Sequence, residues 1–89
     1  MNSFAEFLNS LIREHPDTIS LIAQKTKISR PSLYDLINGK AHPRLTTFEN
    51  LCGALSLSES SLKRLQEFYL SERIKYSKND QNIYLQEKK

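Results

Sequence analysis

Residues 22–40 read IAQKTKISRPSLYDLINGK, a pattern that predicts two short helices joined by a tight turn. Ser29 can cap the second helix, because its hydroxyl can accept a hydrogen bond from a backbone N–H of the first turn. Pro31 would lie in that first turn, where its missing N–H leaves no helical hydrogen bond unmade. Gly39 supplies the left-handed residue that ends the helix near Asn38. The buried stripe of this helix is Leu33, Leu36 and Ile37.

The preceding helix is predicted to run from a cap at Asp17 or Thr18 to about Thr26. Two helices that cross at a steep angle need a small residue at the crossing, and Ala23 supplies it. Ile28, five residues later, fills the turn. A tight turn between two short helices of this kind is a helix-turn-helix.

Two features predict an earlier helix that ends near Glu14. Ser3 and Glu6 have the spacing of a capping box, and Pro16 disfavours helical geometry at the residue before it. The apolar stripe of this first helix is Phe4, Phe7, Leu8, Leu11 and Ile12.

Two more helices follow the central pair. The fourth helix starts either near Leu45 or at a later capping box formed by Thr46 and Glu49. Its stripe is Leu45, Phe48, Leu51, Cys52 and Leu55. The fifth helix is capped by Ser58 and carries Leu62, Leu65, Phe68 and Tyr69, and its stripe either ends there or continues to Ile74 and Tyr76. The predicted fold class is all-α.

We therefore expect a compact five-helix domain over residues 1–76, with the helix-turn-helix at about residues 18–38. The sequence turns polar after Lys75, so residues 77–89 are predicted to be a C-terminal tail or arm.

The net charge of +3 is concentrated in one segment. Residues 24–44 contain five basic residues and one acidic residue, whereas the rest of the chain has eight basic and nine acidic residues. A basic segment is either a solvated surface or a site for a polyanion. Its cations are Lys25, Lys27, Arg30, Lys40 and Arg44.

Length and composition exclude several classes of protein. A chain of 89 residues suits one small domain. No window has the roughly 18 apolar residues of a membrane span, and the N-terminus lacks a signal-peptide pattern. The single cysteine, Cys52, permits neither an intrachain disulfide nor a cysteine cluster for zinc. We expect a cytoplasmic protein with no membrane role.

With these motifs in place, the sequence resembles the lambda-repressor-like helix-turn-helix proteins, the XRE family. The resemblance covers about residues 19–62, and its most specific part is Asn38-Gly39-Lys40 followed by Pro43 and a leucine-rich helix. The other matching segments are IAQK (22–25), ISRPSL (28–33) and LCGALSLS (51–58).

Two positions depart from the family pattern. Lys27 stands where the family usually has glycine in the turn, and a left-handed non-glycine residue should cost about 1 kcal/mol. Ile19 stands where the family usually has a glutamine that clamps a phosphate. That contact would fall to Thr18, Ser20 or backbone N–H groups.

The resemblance implies that the helix beginning at Arg30 lies in the major groove of DNA. Arg30 can bind guanine O6 and N7, and Pro31 can contact a thymine methyl. Asp35 can accept from a cytosine N4–H, or it can pair with Arg30 or Lys40. Tyr34 can pack on a sugar or methyl, or lie over neighbouring backbone. The DNA-binding residues of this helix would be Ser29, Arg30, Pro31, Ser32, Tyr34 and Asp35.

Contacts to the sugar-phosphate backbone are implied for Thr18 and for the residues after this helix. Arg44 can contact a phosphate or enter a narrow minor groove. The remaining contacts would come from Asn38, Lys40, His42 and Thr47.

The other reactive residue types have simpler interpretations. Cys52 lies on an apolar stripe, so we interpret it as a packed core thiol and not as a nucleophile or ligand. His15 and His42 stand outside any cluster with metal-ligand spacing. No nucleophile is paired with a base, and no glycine-rich loop could hold a nucleotide phosphate. We predict no enzyme activity, no metal and no cofactor.

A homodimer on a palindromic operator is expected, because one recognition helix contacts few base pairs. The expected interface is the fifth helix with the tail: Phe68, Tyr69, Ile74, Tyr76, Ile83, Tyr84 and Leu85. Alternatively, this segment only wraps its own domain.

The leading hypothesis is a transcriptional regulator, a repressor of prokaryotic or phage origin, that binds double-stranded DNA. The alternative is an antitoxin-like or adaptor module whose C-terminal segment binds a partner protein. DNA binding would then be secondary autoregulation.

Overall fold

The computed structural model describes residues 3–88, with side chains described up to residue 73. Within this range the chain forms five α-helices and no β-strand, which confirms the all-α fold class. The helices are α1 (Phe4–Glu14), α2 (Ile19–Thr26), α3 (Arg30–Ile37), α4 (Leu45–Leu55) and α5 (Glu59–Lys88).

Four of the helix starts are fixed by hydroxyl caps that the sequence predicts. The cap oxygen accepts a hydrogen bond from the N–H three residues later at Ser3 (3.1 Å), Thr18 (3.2 Å), Ser29 (3.2 Å) and Ser58 (3.3 Å). Each cap satisfies an N–H that the helix itself leaves without a partner. Helix α4 has Arg44 at the cap position without a side-chain cap, and so begins at the earlier of its two predicted starts.

The core lies where all five helices meet. Helix α1 packs against α3 and α5, and α2 packs against α3 and α4. Each fully buried leucine or isoleucine contributes roughly 1.5–3 kcal/mol relative to an exposed one. The fully buried aliphatic residues are Leu8, Ile22, Leu33, Leu51 and Leu65.

One residue of the predicted α4 stripe lies outside this core. The side chain of Leu45 is 49% exposed, although the spacing placed it with Phe48 and Leu51. Leu45 is the first residue of the helix, and the buried residue at this end is Pro43, two positions earlier. At this end of α4 the chain therefore buries Pro43 and leaves Leu45 exposed.

Helix α5 extends further than its apolar pattern indicates. The sequence predicts an end near Tyr76, where apolar spacing stops, yet the helix continues to Lys88. No glycine or proline interrupts residues 59–88, so nothing in the local sequence terminates the helix. The role of residues 77–89 as a separate arm stays a prediction.

Candidate nucleic-acid interface

The turn between α2 and α3 has the strained residue that the sequence predicts. Lys27 adopts the left-handed conformation, with φ 60° and ψ 25°. The N–H of Ile28 donates to the carbonyl of Ala23 at 3.1 Å and closes the end of α2. Lys27 therefore occupies a position that suits glycine, and its left-handed conformation costs conformational free energy.

Thr26, which no sequence motif marked as functional, supports this turn from the inside. Its hydroxyl is buried and donates to the carbonyl of Ile22 at 2.8 Å. The same oxygen lies 3.4 Å from the N–H of Ile28, which donates to it. A threonine in the last turn of a helix that enters a tight turn would have been the signal to look for.

Helix α3 turns its apolar stripe inward and its polar residues outward. Leu33, Leu36 and Ile37 are buried. The residues predicted to meet DNA on this helix are all exposed: Ser29, Arg30, Pro31, Ser32, Tyr34 and Asp35. All six residues therefore lie outside the core, and Ser29, Ser32 and Asp35 line one surface cavity.

Four of these residues have surroundings that bear on their predicted roles. The Ser29 hydroxyl caps α3 and also donates to the hydroxyl of Ser32 at 2.8 Å. Tyr34 is 42% exposed and lines a surface cleft of about 290 Å³ with Thr18. In the part of the chain with described side chains, Asp35 forms no ion pair with Arg30 or Lys40. The pairing alternative for Asp35 is therefore not observed.

The loop after α3 carries the next group of predicted contacts. Gly39 has φ 76° and ends the helix, as its sequence position predicts. Asn38, Lys40 and Arg44 are exposed, and Thr47 is half-buried at the start of α4. A surface cavity of about 440 Å³ joins these elements, with Lys27, Asp35 and Arg44 among its lining residues.

His42, in the loop after α3, packs against aromatic rings of α1 and α5. Its imidazole is stacked on Tyr69 of α5, with ring centroids 4.8 Å apart and an interplanar angle of 12°. Its other neighbour is the ring of Phe4, 5.4 Å away in an edge-to-face arrangement. Burial holds the pKa of His42 below its usual value, although the carboxylate of Glu72 acts in the opposite direction. His42 also borders the surface cavity that Arg44 lines, so its direct contact with DNA stays a prediction.

Comparison with known proteins agrees with this geometry. A family model described as helix-turn-helix matches residues 12–62, more than half of the chain. The chain belongs to the lambda-repressor-like (XRE) helix-turn-helix family. Residues 12–62 are therefore the domain of a DNA-binding transcription regulator. No curated protein and no solved structure matches the chain.

At the start of α2, Ile19 occupies the position where the family usually has a glutamine. Ile19 is half-buried and packs against the core. Thr18 is exposed as the helix cap, and a hydroxyl that accepts a hydrogen bond can still donate one.

Lys25 Nζ donates to Asp17 Oδ2 at 2.6 Å, and this bond lowers the pKa of the Asp17 carboxyl. Lys25, one of the five cations of the basic segment 24–44, therefore has an acidic partner within the domain. The two residues lie eight positions apart, a spacing that no helical pattern predicts.

Of the residues predicted for a dimer interface, Phe68 and Tyr69 are the two whose side chains the structure describes. Tyr69 is only 2% exposed and stacks on Phe48 at 4.2 Å, so it belongs to the core and not to an interface. Phe68 is half-buried beside Phe7, with ring centroids 5.7 Å apart. The other predicted interface residues lie outside the described side chains: Ile74, Tyr76, Ile83, Tyr84 and Leu85.

The reactive side chains of the described residues form no metal site. No group of three histidine, cysteine, aspartate or glutamate residues among them could hold a metal ion. Cys52 is half-buried, and burial raises the pKa of its thiol. In the same part of the protein, no helix is long and apolar enough to cross a membrane.

Proposed function

We propose that this protein is a sequence-specific transcriptional repressor that binds a palindromic operator as a homodimer. The observation that carries the proposal is the outer surface of α3. Its polar residues are exposed together above a buried apolar stripe, within the segment of highest positive charge. A helix of this kind in a helix-turn-helix is placed to enter a major groove.

Base recognition would rest on the first turn and a half of α3. Arg30 can donate two hydrogen bonds to guanine, a contact worth about 1–3 kcal/mol of discrimination. Pro31 offers an apolar contact that suits a thymine methyl. Asp35 is exposed without an ion pair among the described side chains, which favours an acceptor role toward cytosine N4–H.

Phosphate binding would come from both sides of α3. Lys40 and Arg44 are exposed on the loop after this helix, and Thr18 is exposed at the start of α2. The cavity between the turn and α4 has Lys27 and Arg44 in its lining, so two cations border one concave surface. Contacts of this kind set affinity and orientation, and they make binding dependent on salt.

Selection of bound duplexes from a random DNA pool tests this proposal. We expect enrichment of an inverted repeat whose half-sites are spaced by about one helical turn. Arg30→Ala should relax the preference for one guanine in each half-site, whereas Lys63→Ala, an equal charge change at an exposed position of α5, should leave the motif intact. If no motif is enriched, sequence-specific recognition is excluded.

A helical domain without a nucleic-acid role makes a separate prediction. In that case Arg30→Ala and Lys40→Ala would leave the affinity for any duplex unchanged at low salt. We expect both variants to bind more weakly, because each removes a cation from the exposed face.

The antitoxin-like or adaptor function remains the second candidate, and the length of α5 favours testing it. This helix has 30 residues and continues to Lys88, while Leu70 on its described part is 58% exposed. The full chain and a version ending at residue 76 should be compared for mass in solution, operator binding and capture of a partner. Loss of a protein partner with operator binding intact would favour the adaptor; loss of the dimer and of operator affinity together would favour the repressor.

A further inference from the structure

We propose that His42 is a positioning residue for DNA binding: its stack on Tyr69 holds the loop of residues 40–44 so that Lys40 and Arg44 meet phosphates. The inference rests on the proposed function, since it concerns how that function's phosphate contacts are held. It also makes α5 a structural partner of the DNA-binding loop.

The loop has a fixed point at each end and the ring of His42 between them. At its start, the N–H of Lys40 donates to the carbonyl of Asp35 at 2.9 Å. At its end, the carbonyl of Arg44 accepts from the N–H of Phe48 at 2.9 Å. No regular secondary structure covers residues 41–44, so packing of side chains has to fix the path between these points.

Two residues of this segment pack inward: Pro43, which is buried, and His42, whose ring contacts α5. This ring lies nearly parallel to Tyr69 at 4.8 Å, and Tyr69 in turn lies nearly parallel to Phe48 at 4.2 Å. The three rings form a continuous stack from the loop through α5 to α4. Offset aromatic pairs contribute beyond their buried area and have defined geometry, so the stack fixes orientation as well as distance.

The stack is itself held in place by the end of the described part of α5. The hydroxyl of Tyr69 accepts a hydrogen bond from Arg73 at 3.1 Å. Glu72 accepts from the N–H of Phe4 at 2.6 Å, and the ring of Phe4 contacts His42. His42 lies two residues from Lys40 and two from Arg44. Loss of this packing would therefore free the backbone that carries both cations.

The test compares His42→Ala, which removes the ring, with His42→Phe, which keeps a flat ring at the same position. Leu11→Ala is the stability control, because Leu11 packs against the core from α1 and is remote from the loop in sequence. Each full-length variant is titrated with a mixed-sequence DNA duplex over a range of salt concentrations. The slope of log affinity against log salt falls by about 0.9 for each phosphate that a variant no longer neutralises.

We expect the slope to fall by about 0.9–1.8 for His42→Ala, which corresponds to one or two phosphates, and to stay near wild type for His42→Phe and Leu11→Ala. Adding Lys40→Ala to His42→Ala should change the slope less than Lys40→Ala does alone. Amide hydrogen exchange of the DNA-free protein should accelerate in residues 40–44 for His42→Ala and not for Leu11→Ala.

Two negative results have different meanings. If wild type binds with a slope that Lys40→Ala lowers, but His42→Ala leaves the slope and the loop exchange unchanged, the positioning role is wrong and the DNA-binding proposal stands. If wild type itself binds no duplex at low salt, the proposed function fails, and the positioning role fails with it.

Discussion

The backbone N–H of Phe4 donates a 2.6 Å hydrogen bond to the carboxylate of Glu72, and so joins the first turn of α1 to α5. The two residues lie 68 positions apart in the chain. The N–H groups at a helix start carry partial positive charge and lack intrahelical partners, so a carboxylate there is favourable. One interaction thus satisfies the start of α1 and orients the helix that contacts His42.

Replacing Glu72 should lower stability. Glu72→Ala removes a charged hydrogen bond to a partly buried N–H, and we expect a loss of about 1–2 kcal/mol in the free energy of unfolding. Glu72→Gln keeps an acceptor and should lose less. Urea denaturation checks both values, with Glu67→Gln as the exposed control on the same helix. Equal stability of Glu72→Ala and wild type would show that the bond contributes nothing.

The packing of His42 predicts a dependence of stability on pH. Burial lowers its pKa in the folded protein below the ordinary value of 6.5, so the unfolded chain binds more protons when the pH falls through 6.5. The contribution of neutral His42 to stability should therefore be fully present above pH 6.5. It should be lost as the pH falls from 6.5 toward the lower pKa of the folded state. The charge of Glu72 and a backbone hydrogen bond with Tyr69 oppose this shift, and the charge of Arg73 reinforces it.

Comparison of wild type with His42→Phe isolates this effect, because other ionisable groups contribute to both proteins. The difference in free energy of unfolding should shift in favour of the phenylalanine variant as the pH falls below 6.5. Thermal unfolding across this pH range measures it. A difference independent of pH would mean that His42 titrates alike in both states.

The buried hydroxyl of Thr26 should contribute measurably to the turn. Thr26→Val keeps the shape of the side chain but removes the bond to the carbonyl of Ile22, and we expect a loss of about 1 kcal/mol. Thr26→Ser retains the hydroxyl and should retain the hydrogen bond. Thr46→Val, at an exposed position of α4, is the matched control for the change of residue type. Chemical denaturation that gives the same loss at both positions would contradict this role.

Local interactions explain why so much of the fold could be predicted. The caps at Ser3, Thr18, Ser29 and Ser58 act over three residues, and the left-handed residues Lys27 and Gly39 act at single positions. Because these interactions involve residues within three positions of one another, they can be predicted from short segments of the sequence. The exposed face of α3 follows in the same way, because burial of its apolar stripe leaves the remaining side chains outside.

The features that the sequence did not predict depend on partners distant in the chain. His42 looked like a loop residue for DNA contact, but Tyr69, on another helix, determines where its ring lies. The spacing of apolar residues in α5 identifies only the part of the helix that packs against the core. It does not indicate where the helix itself ends.

The conformation of Lys27 predicts an unusual order of stability among its variants. Because its φ is 60°, glycine should fit this position better than any other residue. Lys27→Gly should be about 1 kcal/mol more stable than Lys27→Ala, and both lack the same charge. Thermal unfolding compares them. Equal stability of the two variants would show that the turn relaxes when the side chain is shortened.

The two glycines of the chain should respond in opposite directions to alanine. Gly53 lies inside α4, and an added Cβ would meet nothing within 4 Å, so Gly53→Ala should stabilise the protein by about 0.5–1 kcal/mol. Gly39 has φ 76°, and its added Cβ would be at an ordinary 3.6 Å from the Cβ of Ala5. The cost of Gly39→Ala is therefore conformational, about 1 kcal/mol or more, with no steric clash. Thermal unfolding of both variants measures these changes in stability. A loss of stability for Gly53→Ala would mean that this face of α4 is covered in solution. Unchanged stability for Gly39→Ala would mean that the loop leaves the left-handed conformation.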